Sequence, residues 1–181
     1  MSTTDRRPRD PERPQRIVRA VRDLVREVGI AAITHRTVAE RAQVPLGSTT
    51  YYFDTIDDML AQALRLDIAD FNDLMDRALA ETEGQDPIDR VLAIVRHVDE
   101  ANLAAATAYD LYLNALTRPS LRPLAVEWGD SVIDSLATFL THDQAVAIAV
   151  FLDGHGIRSA LGRSDRPDEA VFRLQLQGLL A

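Results

Sequence analysis

The 181-residue chain contains no cysteine and no lysine, and only 6% of its residues are aromatic. Without cysteine it has no disulfide bond, no thiolate metal site and no cysteine nucleophile. Its longest apolar run, Ala145–Leu152, is far shorter than the about 20 residues that a membrane-spanning helix needs. The first residues are polar and arginine-rich, unlike a signal peptide. We therefore expect a soluble cytoplasmic protein without a membrane partner.

Apolar residues make up 46% of the chain, which is enough for a sizeable core of leucine, valine, isoleucine and alanine. They recur at helical spacing along nearly the whole length, and breaks occur where glycine, proline and capping residues cluster. This pattern predicts an all-α fold of about nine helices, with no strand and no internal repeat. The predicted helices cover approximately residues 14–28, two short segments within 34–53, 55–83, 87–102, 103–116, 120–140, 142–161 and 168–180.

The formal net charge of −8 argues against nucleic-acid binding if it is taken for the whole chain. The charge is unevenly distributed, however, because residues 1–53 carry a net charge of +4 and the remainder carries −12. A basic amino-terminal third on an acidic body is typical of a DNA-reading head attached to a regulatory trunk. Residues 1–13 are rich in arginine and proline, which predicts a flexible arm. Such an arm either lies along a phosphate strand or enters a minor groove of DNA, or it is a mobile terminus without a role.

The segment Thr34–Phe53 predicts a short helix, a tight turn and a second short helix. Thr34 can cap the first helix, with Thr37 as a second candidate. Pro45 cannot continue that helix, so the chain must turn there. The second helix is small, rich in hydroxyl groups and free of acids, and such side chains suit close approach to phosphates in a DNA groove. The alternative is a plain helical hairpin whose Tyr51, Tyr52 and Phe53 pack in a core.

Fourteen residues in and just before this segment match the sequence pattern of a known protein family in both order and spacing. They are Gly29, Thr34, His35, Arg36, Val38, Ala39, Glu40, Ala42, Val44, Gly47, Ser48, Thr49, Tyr52 and Phe53. From about residue 12 to about residue 64 the chain resembles the amino-terminal DNA-binding domain of the tetracycline-repressor (TetR) family. The later part resembles that family only in its helical layout and in the run Leu152-Asp153-Gly154. The resemblance implies a flexible arm at 1–13, a three-helix DNA-binding head at 14–54 and a helical ligand-binding and dimerisation domain at 55–181.

The resemblance also implies which residues meet DNA. They are His35, Arg36, Thr37, Leu46, Gly47, Ser48, Thr50, Tyr51 and Tyr52. Arg36 is the expected base reader, with guanine as its target, and Tyr52 is expected on a phosphate. Three positions depart from the family's pattern: Thr50 replaces a common tyrosine, Leu46 can only contact a thymine methyl group, and Ile56 replaces a phosphate-binding lysine.

The last two predicted helices carry apolar residues on more than one face. One face can pack in the chain's own core, and the other would be a large exposed apolar patch in a monomer. The family's four-helix dimer interface implies a homodimer through these helices, formed by Ala147, Phe151, Gly154, Leu161, Phe172, Leu176 and Leu179. The alternative is that both faces are buried within one large core.

The resemblance further implies a pocket for an unidentified small-molecule effector in the trunk. Polar or aromatic residues on its otherwise apolar helices include Asn102, Asp110, Tyr112, Asn114 and His155. His97, Tyr109 and Trp128 are the first candidates, because an aromatic cavity with few polar groups suits an organic ligand. The alternative is that each is simply an ordinary core or surface residue.

An enzyme is disfavoured, since the chain has no glycine-rich phosphate loop and places histidines beside carboxylates only near His142 and His155. Asp153 and His155 are two residues apart and do not share a helix face. No metal or cofactor is expected. The sequence thus predicts a ligand-responsive repressor that binds a palindromic double-stranded operator as a homodimer. A helical protein-interaction module without sequence-specific DNA binding is the alternative.

Overall fold

The structure, a computed structural model, describes residues 10–101, 103–161 and 168–181. Within these ranges the chain forms nine α-helices and one 3₁₀ helix, without a strand, which confirms the predicted all-α class. The helices are α1 (Arg13–Val28), α2 (His35–Ala42), α3 (Leu46–Tyr52), α4 (Ile56–Glu81), α5 (Pro87–Ala101), α6 (Leu103–Asn114), α7 (Arg122–Ala137), α8 (His142–Ala160) and α9 (Glu169–Leu180), and the 3₁₀ helix is Ile30–Ala32. Residues 1–9 of the predicted arm, Asn102, and the predicted break at 162–167 lie outside the described residues.

Two compact units make up the chain, one ending at Ala63 and the other beginning at Leu64, so that their boundary falls within α4. Thr55 and Asp58 open α4 with reciprocal bonds of 2.8 and 3.1 Å between side chains and backbone N–H groups, as the sequence predicted. The functional boundary predicted after residue 54 remains a prediction. No helix in the described part of the chain is long and apolar enough to cross a bilayer.

The first unit is built on α1, α2 and α3. Thr34 and Thr37 cap α2 together, because each hydroxyl accepts the other residue's backbone N–H, at 3.0 and 2.9 Å. Gln43 then adopts a left-handed conformation with φ of 54°, and Pro45 opens α3. These local features place α2 and α3 in the predicted helix-turn-helix order.

Helical spacing predicts that Ile17, Val21, Leu24 and Val28 form the apolar stripe of α1, and one of these four residues is exposed. Ile17, Val21 and Leu24 are buried as expected, whereas Val28 is 56% exposed. Gly29 follows with φ of 78° and ends the helix, and the chain turns into the 3₁₀ helix. Val28 therefore lies beyond the last turn that α2 and α3 cover.

The core of the second unit joins five helices, α4, α5, α7, α8 and α9. Its fully buried members include Ala78, Ile94, Leu136, Ile148 and Leu176. Asp86 caps α5 by accepting the backbone N–H of Ile88 at 2.9 Å. At the start of α8, Thr141 and Gln144 form the predicted capping box.

The rotation of α8 differs from the prediction. Its buried face is formed by Ala145 and Ile148, both with no exposed surface. Helical spacing predicts two apolar faces on α8 that instead lie at the margin of the core or face outward: Val146, Val150 and Ile157 on one, and Ala147, Phe151, Gly154 and Leu161 on the other. The cause is that α8 is apolar around most of its circumference, so periodicity alone does not identify the buried side.

Candidate functional site

The candidate DNA-binding surface of the first unit comprises one side of α3 and the start of α2. Leu46 and Tyr51 are 52% and 64% exposed, and Gly47 and Thr50 also face outward. Positions 46, 47, 50 and 51 share one side of α3 because they are three or four residues apart. This side contains no carboxylate, so it would not be repelled by phosphate.

The opposite side of α3 packs against α1 and α2 and includes one predicted DNA-binding residue. Ser48 is only 8% exposed, and its hydroxyl accepts a long hydrogen bond of 3.4 Å from the Arg13 guanidinium. Thr49 beside it is fully buried. The structure therefore corrects the prediction for Ser48: burial leaves its hydroxyl in an internal contact, and little of the residue is available to a DNA groove.

Arg36 projects from the first turn of α2 and its side chain is 82% exposed. Its Nε donates to the Glu40 carboxylate at 3.0 Å, one helical turn later. An exposed pair at this spacing contributes at most about 0.5 kcal/mol, so it offers little resistance to a stronger partner. Arg36 is thus free to exchange Glu40 for a base edge or a phosphate.

The three remaining predicted DNA-binding residues lie at the margin of this surface. Thr37 uses its hydroxyl in the α2 cap and also donates to the Ala32 carbonyl at 3.1 Å, which gives it a structural role. Nδ1 of His35 is buried without a hydrogen-bond partner among the described residues. Tyr52 is half-buried, and its ring lies edge-on to Tyr51 with centroids 4.9 Å apart.

An ion pair between Arg41 of α2 and Glu27 of α1 braces the first unit. The two side chains form two hydrogen bonds, of which Nη1 to Oε1 measures 2.7 Å. These bonds lower the pKa of the Glu27 carboxyl below its usual value. The pair joins the first two helices away from the exposed side of α3.

The second unit contains an aromatic cavity. Trp128 of α7 contacts Phe71, Tyr109 and Tyr112, with ring centroids 5.4, 6.0 and 5.2 Å from its own. We call these four residues the aromatic cluster. Its cavity is completed by Gly129, Val132, Ala149, Leu152 and Asp153 and has a volume of about 30 Å³. This space suits a small group or a water molecule, and Trp128 Nε1 is buried without a hydrogen-bond partner among the described residues.

Asp153 is the one charged side chain among the described residues that line this cavity. Partial burial raises the pKa of its carboxyl above the usual value. The pKa of the Tyr109 hydroxyl is also raised, first by burial and then by the Asp153 charge, and the same two causes raise the pKa of Tyr112. The tyrosines are therefore neutral at physiological pH, and an ionised Asp153 makes the cavity negative.

An open groove of about 420 Å³ adjoins the cavity between α6, α7 and α8. Tyr112, Gly129, Ala149 and Asp153 line both spaces. The rest of the groove is mainly apolar, with Val126 and Val150 56% and 68% exposed, and its charged residues are Arg122, Asp130 and Asp153. Asp153 thus lies where a small aromatic cavity meets a larger apolar groove.

Two of the three predicted ligand residues, Tyr109 and Trp128, come together at this cavity. His97 does not line it: Nδ1 of His97 lies 2.9 Å from the Ala93 carbonyl and Nε2 lies 3.3 Å from Glu81. His97 therefore binds a neighbouring carbonyl and carboxylate, and the structure gives it no place in the pocket. Tyr112, one of the polar or aromatic residues predicted on the apolar helices of the trunk, lines the cavity as well.

Phe71 and Asp153 also line the cavity, although the sequence did not predict either of them there. Phe71 carried no distinguishing signal in a helix with many apolar residues. His155 does not line the cavity, and its Nε2 lies 3.2 Å from Asp99. The acid at position 153, directly after the apolar run Ala145–Leu152, was the available signal.

The predicted self-association surface on α8 and α9 is partly corrected. Phe172 and Leu176 are buried in the core, at 4% and 0% exposure, so they leave almost nothing for a second copy to cover. Phe151 is half-buried, 4.8 Å from Phe172 between ring centroids, and Ala147 is half-buried as well. Outward-facing residues of the two helices include Gly154, Leu161, Val171, Leu174 and Leu179.

No family model matches the chain. Over 95% of its length it resembles the crystal structure of the multidrug binding protein EbrR complexed with imidazole, with 38% identity, 97% coverage of that protein and a TM-score of 0.82. A member of the TetR family from Streptomyces coelicolor A3 is 37% identical, with 94% and 99% of the two chains covered and a TM-score of 0.79. The HTH-type transcriptional regulator BetI of Stenotrophomonas maltophilia is 26% identical over 164 residues, 84% of this chain and 83% of that one.

Gly156 controls the packing of the aromatic cluster. It is buried, and a Cβ atom placed there would overlap the Tyr109 ring and hydroxyl, which donates to the Leu152 carbonyl at 3.5 Å. We expect Gly156→Ala to displace Tyr109 and to lower the free energy of unfolding by about 1–3 kcal/mol, as overpacking does. Urea unfolding followed by circular dichroism measures this change.

Gly47→Ala is the control, because Gly47 is exposed within α3, outside the predicted self-association surface, and a Cβ there meets nothing within 4 Å. That variant should gain up to about 1 kcal/mol from helix propensity. Equal effects of the two substitutions would contradict close packing at Gly156.

Asp153 should reduce stability at neutral pH. Its folded-state pKa is raised, so the ionised form is penalised above that pKa and the penalty disappears as the pH falls through it. Asp153→Asn should therefore raise the free energy of unfolding at pH 7, by less than about 1 kcal/mol because the carboxylate keeps contact with solvent. The gain should shrink as the pH falls through the folded-state pKa towards the ordinary pKa of an aspartate, about 3.9. Unfolding titrations at pH 7 and pH 4 measure it, and a loss of stability at pH 7 would contradict the assignment.

Proposed function

The chain belongs to the TetR family of transcriptional regulators, and we propose that it is a ligand-responsive repressor. In this proposal a homodimer binds a palindromic operator in the cytoplasm through α2 and α3. An organic effector occupies the second unit and releases the DNA. The exposed, acid-free side of α3 beside Arg36 is the observation that carries this proposal.

The DNA-binding surface has a division of roles. Arg36 has the length and donors to bind a guanine edge in the major groove, and the slim side formed by Gly47 and Thr50 allows close approach. Tyr51 is exposed and can donate to a phosphate, a frequent partner of tyrosine hydroxyls. Leu46 is suited to contact with a thymine methyl group.

Self-association supplies two such surfaces. The exposed apolar residues of α8 and α9, among them Leu161 and Leu174, support a two-fold interface between copies. Two related heads read half-sites roughly 34–36 Å apart, or a multiple of that distance. The operator should accordingly be an inverted repeat.

The aromatic cavity and its groove support an effector site. EbrR has been crystallised with ethidium, malachite green and proflavin as well as imidazole, which indicates that a chain of this fold accommodates organic ligands. Release then follows from a population shift, in which the effector prefers a geometry whose heads no longer match the half-site spacing. A ligand that bound both geometries equally would have no regulatory effect.

A helical protein-interaction module is the second candidate function, because an exposed helix pair also suits a protein partner. Selection of bound fragments from random duplex DNA distinguishes a DNA-binding repressor from a protein-interaction module. Recovery of an inverted repeat, with affinity that falls steeply as salt rises, supports the repressor. Failure to bind any duplex at low ionic strength would overturn it.

Arg36→Ala should weaken operator binding by about 1–3 kcal/mol while leaving the fold intact, because the exposed side chain contributes little to stability. Arg96→Ala removes the same charge from an exposed position on α5 and should bind the operator normally. Fluorescence anisotropy titrations measure both affinities. Unchanged binding by Arg36→Ala would remove this residue from base recognition.

Leu174→Asp should convert the dimer to a monomer, since it places a charge in the apolar surface of α9. Leu174 is 68% exposed, so the substitution leaves the core unchanged. Leu46→Asp is the control: the residue is 52% exposed in the first unit, and the variant should remain dimeric. Sedimentation velocity measures both states. A dimeric Leu174→Asp variant would place the interface elsewhere.

A further inference from the structure

We propose that the effector is an organic cation with an apolar body, and that its charge lies between the Asp153 carboxylate and the aromatic cluster. This inference rests on the proposed function, because it names the ligand class of the same site. The effector's apolar body extends along the groove between α6, α7 and α8.

The sign of the charge follows from the residues that line the two spaces. Asp153 is the charged residue shared by the cavity and the groove. The groove adds Asp130, which is negative, and Arg122, which is positive. With the tyrosines neutral, the described lining has two carboxylates and one guanidinium, so a cation is attracted to the junction and an anion is repelled.

The aromatic cluster strengthens the preference for a cation. The face of an aromatic ring attracts a cation within about 6 Å, and tryptophan attracts it most strongly. Here Trp128 has three aromatic neighbours at the cavity. An aromatic cluster beside a single carboxylate is an arrangement that recognises alkylated ammonium groups, which are too weakly hydrated to require several hydrogen-bond acceptors.

The sizes of the two spaces suggest how such a ligand is divided between them. The cavity, at about 30 Å³, accepts a methyl-sized part of a cationic group. The groove, at about 420 Å³, falls within the range of organic-ligand pockets. Its exposed Val126 and Val150 provide apolar contacts for the body of the ligand.

Asp153 is exposed at the rim of the cavity, and the partial desolvation of its carboxyl fits this role. Its pKa is raised because the carboxyl is partly removed from water without a neutralising base in the cavity lining. A bound cation supplies the missing counter-charge and recovers part of that desolvation cost. The Asp153 carboxylate therefore reduces the stability of the unliganded protein and improves the binding of a cation.

Trp128 provides a direct readout, because it is the only tryptophan in the sequence and lies in the aromatic cluster. The probes are benzyltrimethylammonium and neopentylbenzene, which have the same shape and differ by one positive charge. The full-length protein is titrated with each probe at pH 7, and Trp128 fluorescence is recorded. We expect the cation to bind about tenfold more tightly or better.

Asp153→Asn should reduce this preference about tenfold, because it weakens binding of the cation and leaves binding of the neutral probe unchanged. Asp130→Asn is the matched control, since it removes the same charge from the groove at a residue that does not line the cavity. It should retain most of the preference for the cation. Circular dichroism verifies that both variants are folded.

Three outcomes would overturn the inference. The first is equal affinity of the wild-type protein for the two probes. The second is no fluorescence response to the cation up to millimolar concentration. The third is an equal loss of affinity for both probes in Asp153→Asn. Operator binding is measured on the same preparations without a probe. Loss of operator binding alone would contradict the proposed function, whereas loss of charge preference with normal operator binding would contradict only the inference about the effector.

Discussion

Burial of Ala145 and Ile148 fixes the rotation of α8, and the other features of the second unit depend on that rotation. With these two residues in the core, Ala149 and Asp153 are turned towards the aromatic cluster, and Val150 and Leu161 are exposed. Rotation of α8 by one residue in one direction would turn Asp153 towards the core in place of Leu152. The cost of burying a charge disfavours that rotation, and the observed one leaves Asp153 in the lining of the aromatic cavity.

Burial of one residue likewise fixes the rotation of α3 in the first unit. Thr49 is fully buried and its hydroxyl donates to the Leu46 carbonyl at 2.8 Å, so the helix satisfies its internal polar group locally. That burial turns Gly47 and Tyr51 outward. The surface proposed to bind DNA is the side of the seven-residue helix α3 that α1 and α2 leave uncovered. Its lack of acids is a property of the sequence, and its exposure is a property of the packing.

The two proposed sites have opposite electrostatic character, and each matches the charge of its proposed ligand. The amino-terminal third is basic and suits phosphate, whereas the remainder is strongly acidic and contains the Asp153 junction. An acidic trunk is repelled by DNA and favours organic cations over anions. The uneven charge along the chain is thus consistent with two ligands of opposite sign, one for each unit.

Local signals in the sequence by themselves determined the helical class, the order of the helices and most of their ends. Capping threonines such as Thr34 and Thr141 act through hydrogen bonds to backbone groups a few residues away, and Gly29 and Pro45 act through local backbone geometry. Their effects can therefore be predicted without knowledge of the fold. Tertiary structure alone decided which side of each apolar helix is buried. It buried Ser48 and Phe172, separated His97 from Trp128 and brought Phe71 to the cavity, because these outcomes depend on contacts between residues distant in the chain.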